Sequence, residues 1–333
     1  MLTFDQIMAD LKNRIYKPIY FLMGAESYYI DQITDYIGDN VLAESEKAFN
    51  QTVIYGRDVE IKDIDNMARR YPMMSSYQVV IVKEAQTIKN LDKLVYYAGS
   101  PLKSTILVIN YKYKNLAKNK KLYKELNKTG VIFESKKLYD NQVPAWINKY
   151  LNKKLYTIDP VASVLLNDYL GTDLSKIVNE LDKLVISLPE NTKITTVHVE
   201  ENIGISKDYN NFELQNALTK KDVIKANRII KYFGQNQKEN PIVLTINSLY
   251  YFFRKILIYH FIKDKSNRNV ASILQINPYF VKDYQNSARK YNPKKVVQVI
   301  SYLREYDLKS KGLGNVSDKP EDLLKELMFK ILH

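Results

Sequence analysis

An apolar run that ends in glycine and passes into a helix start, as in IYFLMGAESYYIDQ (residues 19–32), is where nucleotide-binding folds place a phosphate-cradling loop. That chemistry needs G-x-x-x-x-G-K-[ST]: backbone N–H groups cradle the phosphates, a lysine neutralises them and a hydroxyl holds Mg²⁺. Counted from Gly24, the pattern demands Gly, Lys and Ser or Thr at positions 29, 30 and 31. The sequence supplies Tyr29, Ile30 and Asp31, so nothing cradles a phosphate and an acid stands where the hydroxyl belongs. The other half of such a site belongs at the tip of the third strand, where an Asp joins the metal shell and a Glu activates water. Here Lys83 takes the Asp position and opposes Mg²⁺, which leaves Glu84 without a metal partner. Glu84 then reads as a helix-start or surface acid, not a base.

No other catalytic pattern stands out. There is no Ser/His/Asp spacing, no paired-carboxylate signature and no second Gly-rich loop, and ten glycines leave little material for one. The absence of Cys removes disulfides, thiol nucleophiles and Cys-ligated zinc, and fits a reducing compartment. His198, His260 and His333 lie far apart, with no metal-ligand spacing. No cofactor and no metal are expected.

The elements around these positions follow from apolar patterning. Residues 18–23, 51–55, 78–82, 104–111 and 130–134 read as strands, mostly continuous Val- and Ile-rich runs of the kind covered on both faces. Helices alternate with them, which predicts a mostly parallel sheet. One helix places Tyr29, Ile33, Ile37 and Val41 on one face; a second starts on a capping Asp58 and ends near Tyr71; a third ends at Gly99; a fourth, from Leu116, ends at Gly130. Strand signals then stop. Residues 141–208 read as a small helical module with a loop at 189–194, and 206–210 as a linker. Residues 209–333 read as a longer helical domain broken near Gly234, Pro241, Pro278, Pro293 and 311–320. The expected fold class is α/β (residues 1–140) followed by all-α. The longest apolar segment, 242–262, is interrupted by Asn247, Arg254 and Lys255 and reads as a buried helix, not a membrane span. With no secretory signal in MLTFDQIMADLK, a soluble cytoplasmic chain is expected, with no membrane partner.

Fifty Lys and Arg against 37 Asp and Glu give a formal net charge of +13, which suggests an anionic partner, most often nucleic acid. The excess concentrates in residues 103–137, where ten lysines oppose only Glu125 and Glu134, with Tyr111, Tyr113 and Tyr123 interleaved. Lys112, Lys114, Lys118, Lys120 and Lys121 are the candidate phosphate contacts; such contacts are sequence-independent and salt-sensitive. A solvated helix face is the competing reading. A second oddity is RRYPMMSSYQVV (69–80). Pro72 breaks a helix, and Met73 and Met74 follow before the third strand. Two adjacent methionines do not easily face one core, and flexible thioethers suit adaptable protein contacts; packing beneath the loop is the alternative.

Taken together, these features resemble the delta-subunit family of the bacterial DNA polymerase III clamp loader. PIYFLMGAESYYID (18–31) looks like the family's opening strand and Gly-x-Glu-x-Tyr, with Ser27 and Tyr29 where Pro and Leu are common. LGTDLSKIVNELDKL (170–184) is similar to its Gly-x-Asp-Leu…Asn-Glu-Leu-x-Lys-Leu signature, and NNFELQNALTKKD (210–222) to its Phe-Glu-Leu…Ala-Leu segment. The three motifs span the chain in order. The resemblance implies an AAA+-like first domain without a working nucleotide site, a helical lid (141–208) and a helical collar (209–333). It also implies a hetero-pentamer with gamma or tau and delta-prime subunits, in which this subunit binds and opens the sliding clamp (beta) for loading on primed DNA. The family's clamp-contacting element, a hydrophobic pair before the third strand, corresponds to Met73 and Met74 after Pro72. Such a subunit has no catalytic site of its own and is accessory to the DNA-directed DNA polymerase III.

Two alternatives compete. An active AAA+ ATPase with a degenerate loop needs a nucleotide-binding lysine in the first loop and an acid at the tip of the third strand. A basic nucleic-acid-binding protein unrelated to clamp loading explains Lys103–Lys137 but not Met73 and Met74.

Overall fold

The computed structural model describes residues 2–206, 208–314 and 319–333. Lys207, inside the expected linker, and residues 315–318, inside the expected break at 311–320, lie outside the described residues. The chain divides into unit 1, up to Leu138 together with Asp173–Ser175, and unit 2, Tyr139–Thr172 with Lys176–His333.

Unit 1 is an α/β sandwich. Its strands are β1 (Ile19–Gly24), β2 (Gln51–Tyr55), β3 (Gln78–Lys83), β4 (Thr105–Lys112) and β5 (Val131–Ser135). They pair in parallel in the order β2-β3-β4-β1-β5. All five expected strands are present; in the four that are covered on both faces most positions are apolar. Alternate residues feed two cores. Ile19, Phe21, Met23, Val80, Val82, Leu107, Ile109 and Ile132 pack on one face; Tyr20, Leu22, Val79, Ile81, Ile106, Val108, Val131 and Phe133 pack on the other. At the edge, β2 is only partly buried.

The helices of unit 1 are α1 (Phe4–Lys12), α2 (Ser27–Asn40), α3 (Glu44–Asn50), α4 (Ile61–Ala68), α5 (Val95–Gly99) and α6 (Lys121–Thr129). Three boundaries differ from the sequence expectation. Asp58 does not cap α4; its N–H closes a turn onto the Tyr55 carbonyl, and the helix starts three residues later. The same helix ends at Ala68, short of Tyr71, because the buried Gln78 amide donates to the carbonyls of Met67 and Ala68 and absorbs its open C-terminus. The helix after β4 starts at Lys121, not Leu116: Leu116 is buried as a loop residue, its N–H on the Met23 sulfur at 3.2 Å. Lys118 and Lys120 therefore lie on a loop, not a helix.

Among the described residues, the regular structure of unit 2 is helical except at one place. The loop expected at 189–194 contains a strand, β7 (Lys193–Ile194), which pairs in parallel with β6 (Thr157–Ile158). Two-residue strands carry no apolar alternation to read. Around them lie α7 (Val143–Asn152), α8 (Pro160–Leu170), α9 (Leu174–Ser187, its first two residues in unit 1) and α10 (Thr196–Ile203). The remaining helices are α11 (Asn211–Lys220), α12 (Val223–Gln235), α13 (Ile242–Phe261), α14 (Asn267–Leu274), α15 (Val281–Lys290), α16 (Pro293–Ser310) and α17 (Pro320–Leu332). The expected break near Gly234 is present, since α12 ends one residue later at Gln235. Gly234 lies in the last turn, where a Cβ would meet the Glu321 side chain of α17, so it also serves close packing. By length and composition α13 is apolar enough to cross a membrane. It buries Ile246, Leu249, Phe252, Phe253 and Ile256 in one core with residues of α11, α12, α16 and α17.

Candidate functional site

Ligands of open α/β sheets bind outside the carboxyl ends of the strands. At that edge, β1 reaches α2 through only Ala25 and Glu26, too short a connection to wrap a phosphate. Gly24 has φ +123, a conformation that favours glycine. Its N–H and C=O are taken by Lys114 and Tyr113 backbone groups at 3.1 and 2.8 Å. The first turn of α2, where backbone N–H groups would meet an anion, already has one. Glu26, 4 % exposed, accepts from the Tyr28 N–H at 2.9 Å. Burial pushes the Glu26 carboxyl above the ordinary carboxylate range, against the pull of that hydrogen bond. The position that a P-loop lysine would hold is Ile30, one turn inside α2 and fully buried in the core.

The metal half is filled as well. The Lys112 ammonium, at the end of β4, lies 2.7 Å from Asp31 Oδ1 and 3.8 Å from Glu84 Oε1. The acid at the hydroxyl position and the acid at the third strand tip thus share a protein cation. Glu84 has φ +54 and precedes a short 3₁₀ turn at Ala85–Thr87; its carboxylate also accepts from the Gln86 amide. Behind this pair, burial raises the Asp35 carboxyl, and Lys83 opposes the rise. The cluster is a closed set of ion pairs, with an ammonium where a divalent ion would need open acids. Calorimetric titration with Mg-ATP is expected to give no heat of binding; a stoichiometric micromolar isotherm would overturn this account of the strand ends.

The segment between α4 and β3 is open. Met73 is 63 % exposed and Met74 fully exposed, so neither is core. Pro72 sets the loop after α4 because it cannot continue a helical hydrogen-bond ladder. Met74 sits at φ +53, a left-handed conformation. Sequence reasoning missed Asn50, the last residue of α3 and 4 % exposed. Its side chain accepts from the Met73 N–H at 2.6 Å and donates to the Met73 carbonyl at 2.9 Å. Phe49 beside it and Tyr71 on the loop are exposed too. No pattern in the sequence links residue 50 to residue 73.

The five candidate lysines separate by environment. Lys112 is committed to Asp31, and Lys120 to Asp92 at 2.8 Å. Lys114 is exposed and touches the Gln86 carbonyl at 3.3 Å. Lys118 and Lys121 are exposed, with Lys121 the first residue of α6.

Residues 20–136 match the family model described as DNA polymerase III, delta subunit. Residues 208–328 match that of the DNA polymerase III delta subunit, C-terminal domain. Together the two matches cover well over half of the chain. The sequence is 26 % identical over 344 residues to DNA polymerase III subunit delta of Bacillus subtilis (strain 168), covering 98 % of this chain and 96 % of that one. The fold is similar to the solved Bacillus subtilis DNA clamp loader delta protein, with TM-score 0.55, 23 % identity and 99 % of each chain covered.

Proposed function

The chain belongs to the DNA polymerase III delta-subunit family, and from that premise we propose that it is the clamp-loader subunit that grips and opens the sliding clamp for loading on primed DNA. The observation that carries this reading is the pair Met73 and Met74, carried on the loop before β3, where the Met73 backbone is tied down while both side chains are bare. Exposed thioethers on a fixed backbone suit a partner's apolar pocket. The other DNA polymerase III subunits, gamma or tau and delta-prime, are its ring partners in this proposal. Residues 141–208 serve as the lid and 209–333 as the collar, and the complex works in the cytoplasm. Titrating the cell's own sliding clamp with this chain tests the reading: a saturable complex supports it, and no complex at micromolar concentrations overturns it.

Lys112 between Asp31 and Glu84 argues against an active ATPase. Direct DNA contact belongs, in this proposal, to the free lysines around the start of α6. Cations at a helix N-terminus oppose the macrodipole, and α6 has no acid in its first turn. Lys118, Lys121 and Lys124 in that place do nothing for the helix, whereas helix N-termini with lysines suit phosphate. Reversing Lys118 and Lys121 to Glu is expected to weaken binding of the assembled loader to primed DNA equally across sequences. The salt slope should fall by roughly 1 to 2. Lys120→Glu should do less, since Asp92 already holds that ammonium. An unchanged slope would make this patch ordinary solvated surface.

A further inference from the structure

Met73 is gripped in an unusual way. One buried side-chain amide, that of Asn50, takes both backbone hydrogen-bonding groups of a residue whose own side chain is 63 % exposed. The same amide nitrogen donates to the Glu46 carbonyl at 3.2 Å, which locks it to the last turn of α3. The next residue, Met74, stands left-handed and bare, a conformation that persists where the surroundings enforce it. The loop is anchored beyond the methionines by Tyr77, which packs on the core and against Tyr16; a tip with two exposed methionines would otherwise sample many arrangements, and a binding partner would bear the cost of ordering it. Phe49, immediately before Asn50, presents a 73 % exposed ring on the element that does the gripping.

We infer that Asn50 is a positioning residue for the docking loop, fixing Met73 and Met74 in their binding arrangement and joining Phe49 to them as a third apolar anchor for the clamp. This rests on the reading of Met73 and Met74 as clamp contacts. The surface is then composite, with one anchor from the end of α3 and two from the loop before β3, joined through the Asn50 amide. The clamp pocket it fits is apolar and wide enough for a phenyl ring beside two thioethers.

The test uses the full chain and the sliding clamp. In the free chain, Asn50→Ala should speed amide hydrogen exchange at Met73 at least tenfold, because its N–H loses its acceptor; an unchanged rate overturns the inference. Clamp affinity should fall about tenfold in Asn50→Ala and about tenfold in Phe49→Ala, with the Phe49 variant melting like the parent. In a Met73→Ala/Met74→Ala background, Asn50→Ala should cause no further loss of affinity; a full additive loss would make Asn50 a general stabiliser and overturn its positioning role. Should Asn50→Ala fail to fold, Phe49→Ala at its exposed site decides, and parental affinity there overturns the composite surface. If Met73→Ala/Met74→Ala itself binds like the parent, the site reading fails and this inference with it. If that variant is weakened while the Asn50 and Phe49 variants are not, this inference alone fails.

Discussion

Replacing Met73 and Met74 together with alanine is expected to weaken clamp binding by about 2–4 kcal/mol, roughly a 30- to 1,000-fold rise in Kd, while the melting curve stays that of the parent. The size follows from burial. Fully covering a methionine side chain contributes about 1.5–3 kcal/mol relative to leaving it in water, and alanine keeps only the Cβ part. Two such losses do not simply add, because anchors at the centre of an interface share the water-excluding ring around them. Stability should not follow, since Met73 at 63 % exposed and Met74 at full exposure have almost no burial to lose on folding. The two readouts, titration and melting, therefore separate. Parental affinity would place the clamp contact elsewhere. A large drop in melting temperature would mean the side chains support the fold despite their exposure.

The methionines were legible in the sequence as a pair after a helix-breaking proline, but their support was not. Asn50 reaches Met73 across 23 positions, and nothing in an asparagine at the end of a short helix announces a backbone clamp elsewhere. Lys112 is a similar case. It read as one of ten basic residues in a run, yet its ammonium belongs to Asp31, 81 positions away. Local composition shows that charge is present; only the sheet register, which sets Lys112 opposite Gly24, shows that it is spent internally. Four of the five strands of unit 1 were legible because burial on both faces demands nearly unbroken apolar runs, and the edge strand β2 from its short β-branched and aromatic run. The pair β6 and β7 was not, because two residues each give no period. The misplaced start of α6 had a physical cause too: Leu116 is apolar for the core it plugs from a loop, and apolar spacing alone does not distinguish that from a helix face.

Gly24→Ala is expected to destabilise unit 1 by about 4 kcal/mol or more, in the exceptional range for a single substitution, and to lower its melting temperature by roughly 10–20 °C. Two independent costs act. A φ of +123 lies outside the regions open to a residue with a Cβ, and holding one there costs on the order of 1–3 kcal/mol. The added Cβ would also stand 2.1 Å from the Ser135 carbonyl oxygen and 2.8 Å from the Ser135 carbonyl carbon and nitrogen. Those atoms are backbone of β5, paired in register with β1 at Gly24 itself, so no side-chain rotation relieves the clash. Relief requires prising β5 from β1. Gly171→Ala is the control: its φ is +70 and its ψ −147, but nothing lies within 4 Å of its Cβ position, so only the conformational cost of about 1–3 kcal/mol remains. If Gly24→Ala melts with the parent, the close approach of β5 is not what fixes glycine here. If it collapses as expected, the glycine at the end of β1 is held in place by strand packing. No phosphate is needed to explain it, and the first turn of α2, capped by Glu26, has no room for one.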